Sequence, residues 1–98
     1  VDEGDEIAKA LGDKKVIILQ NHGILTTGPS VDIALWFYMS MERCCQAQLM
    51  AEAAGNPVII PHDTAVKTRN FIANDVAAWA SYQPAFDMIL KKEPDLLD

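Results

Sequence analysis

The chain has 98 residues, 50% of them hydrophobic and 22% charged, with 14 acidic against 8 basic residues and a net charge of −6. That balance gives no electrostatic drive toward a phosphate backbone, which excludes nucleic acid as a partner. Glu42 and Arg43 interrupt the longest apolar run before it reaches membrane-spanning length. The apolar content excludes a disordered acidic tail, and the length allows one domain with a thin core.

In chain order, Val1 to Leu11 reads as a helix with Ile7, Ala8 and Leu11 on one face and acidic residues in its first turn. Gly12 stops it at the position of a left-handed cap. Val16-Ile17-Ile18-Leu19 is a β-branched run, predicted as a strand buried on both faces. After Asn21-His22-Gly23 the β-rich text resumes at Ile24-Leu25-Thr26-Thr27, so a hairpin or sharply bulged strand is expected, with Thr26 and Thr27 on a strand face. Gly28-Pro29-Ser30 opens the next helix, with Ser30 as N-cap and Asp32 in the first turn. It runs unbroken to Gly55-Asn56-Pro57 and is apolar nearly all round in its first half, which marks a buried helix or a subunit contact around Trp36-Phe37-Tyr38.

Val58-Ile59-Ile60, bracketed by Pro57 and Pro61, reads as a short extended crossing. From Asp63 the pattern is helical again, and Pro84 is expected to end or kink that helix at Gln83. An amphipathic piece, Ala85 to Lys92, then leads into a tail, Pro94 to Asp98. The predicted order is α, β, β, α, short β, α, α. Its two or three strands are too few to stand alone, so further strands are expected from upstream chain. The opening on Val1 rather than Met carries the same expectation of a longer protein. Cys44 and Cys45 are adjacent and cannot bridge in a helix, which points to a reducing compartment and the cytoplasm. Packing inside a helix suits them better than soft metal ligation, because their spacing fits no zinc motif.

His22 is the residue that invites chemistry. It follows a strand, and the neighbouring Gly23 permits close approach of a ligand or metal. A neutral imidazole there can coordinate zinc, with Asn21 as support; equally, such a histidine can hydrogen-bond within its own turn. His62, after Pro61, reads as a helix-start residue beside Asp63.

The stretch Val16 to Gly28, VIILQNHGILTTG, closely resembles the strand–Asn-His-Gly–strand segment of the class II aldolase/adducin family. The helix from Ser30-Val31-Asp32-Ile33-Ala34 through Met41-Glu42-Arg43-Cys44 resembles the one that follows in that family, and Ile7 to Gly12 its lead-in helix. The last third, with Trp79, Tyr82-Gln83-Pro84 and Pro94 to Leu97, is similar to a eukaryotic-type branch. The resemblance implies an α/β/α layered fold with a mainly antiparallel central sheet. Residues 1–98 would be the C-terminal part of that single domain, with its N-terminal segment as a partner.

The resemblance further implies a lyase cleaving a carbon–carbon bond in a small carbonyl substrate, a sugar phosphate or hydroxy acid. In such enzymes zinc or another divalent metal, held by three histidines, polarises the carbonyl and stabilises an enediolate. His22 matches the third histidine, with Asn21 and Gly23 as substrate-binding candidates. The first two histidines, a His-x-His pair, and the acid/base glutamate fall upstream of the matched residues. Family enzymes also borrow a tyrosine from the C-terminal region, which makes Tyr82 a candidate without a fixed alignment. Homo-oligomers, tetramers above all, are implied too. The alternative within the family is an adducin-like oligomerisation domain that has lost the metal.

Overall fold

The computed structural model describes residues 2–98; the expected helix start at Val1 lies outside them. Helix α1 spans Asp2–Leu11, and Gly12 closes it at φ 54°, the left-handed conformation a Cβ would oppose, with its N–H donating to the Ala8 carbonyl at 3.0 Å. Strands β1, Val16–Leu19, and β2, Gly23–Thr26, pair antiparallel in the register Val16↔Thr26 to Leu19↔Gly23. They are the two strands of the one sheet among the described residues. The Thr27 N–H extends the ladder to the Lys15 carbonyl at 2.9 Å, and the Thr26 hydroxyl donates to the Ala34 carbonyl at 2.8 Å, tying β2 to the next helix.

That helix, α2, spans Val31–Ala54. Ser30 occupies the N-cap position, but its hydroxyl makes no cap bond; the carboxylate of Asp32 instead takes the Ile33 N–H at 3.1 Å. The chain reaches α2 through Gly28, where a Cβ would stand 3.0 Å from both the Ala34 backbone nitrogen and Ile33 Cγ2. A side chain here would have to push these neighbours back by a few tenths of an ångström. Gly28→Ala should therefore lower the free energy of unfolding by about 1–3 kcal/mol, the usual cost of overpacking. A denaturant melt of the variant reads this as a lower midpoint with an unchanged slope; an unchanged midpoint would show that the loop relaxes freely.

Helix α3 spans His62–Ile72 and α4 spans Asp75–Lys92, followed by a 3₁₀ turn at Pro94–Leu97. The break between α3 and α4 was not expected from the helical text after Asp63. Asn74 makes it: its side-chain oxygen accepts the Ala77 N–H at 2.9 Å while its amide donates to the Phe71 carbonyl at 2.8 Å, closing one helix and opening the next. Pro84, expected to end or kink the helix, instead lies within an unbroken α4, so Ala85 to Lys92 is not a separate piece. Packing along α2 holds α4 helical there, and the Gln83 side chain donates to the Trp79 carbonyl at 3.1 Å, one turn back.

Two more expectations fail for want of covering layers. Ile18 is 61% exposed, so β1 is not buried on both faces. Val58, Ile59 and Ile60 form no strand and are exposed, because nothing among the described residues pairs with them. Among the described residues the core consists of Ile33, Phe37 and Ala78, with Val16, Trp36 and Ala73 packed at its edge. The radius of gyration, 16.1 Å, exceeds the roughly 13 Å of a compact domain of this length. No described helix is long and apolar enough to cross a membrane.

Candidate functional site

The hairpin loop Gln20–His22 is built as a tight turn whose last N–H, from His22, donates to the Leu19 carbonyl at 3.2 Å. Its second residue, Asn21, takes φ 62°, a left-handed conformation that Asn tolerates better than other side chains. Gly23 follows at φ 136° with nothing near the position of a Cβ. The sequence Asn-His-Gly is thus what this turn demands on either side of the histidine. Asn21, His22 and Gly23 are all exposed, and none of the side-chain hydrogen bonds among the described residues uses the imidazole. The alternative reading, a histidine bonded within its own turn, is therefore not what the side chain does; only its backbone closes the turn.

An exposed imidazole at a rigid turn has the donor chemistry of a metal ligand. A closed centre needs about three such groups, and no cluster of three His, Cys, Asp or Glu is found among the described residues. The residues present thus fit one ligand of a metal rather than the whole set. His62 is the first residue of α3, exposed, as expected of a helix-start residue. Cys44 is exposed and Cys45 half-buried on α2; both are free thiols, so neither is the fully buried packing residue expected.

Tyr82 stands elsewhere. It lines a cavity of about 290 Å³ with Val31, Asp32, Gln83 and Phe86, its ring centroid 6.2 Å from that of Phe86. The Asn21–Gly23 loop does not line that cavity. Within it the Gln83 amide donates to Asp32 at 3.4 Å across the α2–α4 contact. The Ser30 hydroxyl beside Asp32 holds its carboxyl below the usual carboxylate range, against a smaller opposing effect of desolvation. The Asp32–Gln83 pairing was not foreseen; residues 51 apart leave no signal in a single sequence.

Comparison with known proteins places these elements. The family model described as the class II aldolase and adducin N-terminal domain matches residues 1–49. The chain is 41% identical over 95 residues to decarboxylase NovR of Streptomyces niveus, covering 97% of the chain and 35% of that protein. It is 40% identical over 95 residues to 4-hydroxy-3-prenylphenylpyruvate oxygenase/4-hydroxy-3-prenylbenzoate synthase of Streptomyces roseochromogenus subsp. oscitans, with coverages of 97% and 34%. Among solved structures, L-fuculose 1-phosphate aldolase from Glaciozyma antarctica PI12 matches with a TM-score of 0.89 and 37% identity, over 93% of the chain and 36% of that structure. The chain spans about a third of the length of these relatives.

Proposed function

Because the chain belongs to the class II aldolase and adducin family, we propose that it is the C-terminal part of a metal-dependent lyase that breaks a carbon–carbon bond beside a carbonyl. The fold supports this: α2 and the β1–β2 hairpin follow a class II aldolase at a TM-score of 0.89. The observation that carries the proposal is His22, an imidazole held exposed at a turn fixed by Asn21 and Gly23 and left out of every side-chain hydrogen bond among the described residues. The relatives named as a decarboxylase and an aldolase share carbon–carbon cleavage as the common chemistry. A small hydroxy acid or sugar phosphate is the substrate class.

In this reading a ring nitrogen of His22 would hold zinc or another divalent ion, with ligands beyond these residues completing the set. The bound ion supplies Lewis-acid polarisation of the substrate carbonyl. Gly23, without a side chain, leaves room for substrate beside the ligand, and the Asn21 amide is available to orient it. The proton that follows bond cleavage is moved by a carboxylate from the upstream segment. The thin core, the exposed Ile18 and the expanded radius of gyration support a domain completed by that segment. We place the enzyme in the cytoplasm, given its two free thiols, and in a homo-oligomer, a tetramer by resemblance.

A second reading has its own observation. Leu49, Met50 and Phe71 are 68%, 66% and 81% exposed on α2 and α3, surface that suits an adducin-like interaction domain. One experiment separates the two. Full-length protein purified without chelators should carry stoichiometric divalent metal and cleave a hydroxy acid or sugar phosphate. Chelation should then reduce turnover at least 100-fold and added zinc should restore it. Absence of both metal and cleavage, with oligomers still present in light scattering, would favour the interaction domain; a strict monomer would count against both.

A further inference from the structure

A cavity of about 710 Å³ opens between the start of β1 and the α3–α4 junction, lined by Asp13, Lys14, Lys15, Arg69, Asn70, Ala73 and Asn74. It gathers three of the chain's eight basic residues in a molecule whose net charge is −6. Three cations against the one carboxylate of Asp13 leave two positive charges on the lining. None of the side-chain hydrogen bonds among the described residues uses Lys14, Lys15 or Arg69. Cations gathered in one concavity without hydrogen-bond partners repel one another, a cost that an anion relieves.

Part of the wall is tied down. The Lys15 ammonium lies over the Phe37 ring, 5.6 Å from its centroid, which anchors it against the core. The Lys15 carbonyl accepts the Thr27 N–H, and the Arg69 carbonyl accepts the Ala73 N–H at 2.8 Å. Asn74 is held at both ends of its amide, leaving Asn70 as the free amide of the lining.

We propose that this cavity binds a doubly charged oxyanion, a phosphate or phosphate monoester. Two positive charges match a dianion, and the planar guanidinium of Arg69 offers the fork that phosphate oxygens accept in pairs. The site is separate from the metal reading of His22. From Lys15, just before β1, to Leu19 at its end the chain covers about 13 Å at roughly 3.3 Å per residue, before it turns at His22. A small substrate does not span both, so the ligand here is a second molecule, and its binding stands or falls independently of catalysis.

The test is a calorimetric titration of full-length protein with inorganic phosphate at constant ionic strength, repeated with glycerol phosphate. Saturable binding of one anion per chain is expected, the tighter of the two identifying free phosphate or a monoester as the ligand. Arg69→Gln should weaken it about tenfold or more, the worth of one charged hydrogen bond. Arg69 is exposed, so this variant folds; Lys14→Gln, also exposed, is a second variant expected to weaken binding in the same direction. No saturable binding of either probe, or binding by Arg69→Gln equal to wild type, overturns the proposal.

Discussion

Replacing His22 by Ala is expected to strip the divalent metal from the full-length protein and to lower carbon–carbon cleavage more than 100-fold, with the fold intact. Removing a group that merely orients a ligand costs about 10–100-fold in metal affinity or activity, and removing the ligand itself costs more. The fold persists because the backbone does the structural work at this turn. The His22 N–H bond to Leu19 survives in alanine, the left-handed residue is Asn21, and the side chain lost is exposed. If His22 instead served only its turn, wild type would hold no metal and the variant, whose backbone bond is unchanged, would stay within about 0.5 kcal/mol of wild-type stability. Elemental analysis of the two proteins purified side by side, with circular dichroism as the control on fold, decides. Metal retained at wild-type stoichiometry in the variant would remove His22 from the centre.

The parts of the fold legible in the sequence are those set by local chemistry. Gly12 and the Asn21-His22-Gly23 turn need backbone conformations that few residues supply, and the β-branched runs on either side of the turn pair as the hairpin they imply. Asn74-Asp75 carries the same kind of signal, an N-cap followed by an acidic first turn, but the apolar spacing continues through it without interruption and masks the break. What failed depends on distant surfaces. Pro84 is tolerated because α4 lies along α2, and Ile18 and Val58–Ile60 stay exposed because nothing among the described residues covers them. The same division runs through the candidate sites. The surroundings of His22 follow from three consecutive residues, whereas the cavity joining Lys14 and Lys15 to Arg69 exists only once the α3–α4 junction and the start of β1 lie side by side.

Trp36-Phe37-Tyr38 shows that division within three residues, and it yields the largest stability effect expected. Apolar periodicity marked all three as core or subunit contact, but a helix turns about 100° per residue and can present only one of them fully to its neighbour. Phe37 is 7% exposed and packs with Ile33 and Ala78, Trp36 lies at the edge of that cluster, and Tyr38 is 42% exposed. Phe37→Ala should therefore cost about 3–5 kcal/mol, the transfer of the ring plus the cavity left where only two other described residues are buried. Losing the ring under the Lys15 ammonium adds to the same direction. Against a total stability of about 5–15 kcal/mol this removes between a fifth and all of the margin. Tyr38→Ala, on the open side of the same turn, should cost no more than about 1 kcal/mol. Guanidinium unfolding of the two variants in the full-length protein, compared at equal slope, reads the difference directly. A larger loss at Tyr38 than at Phe37 would move the dominant burial on α2 to a contact made outside this chain.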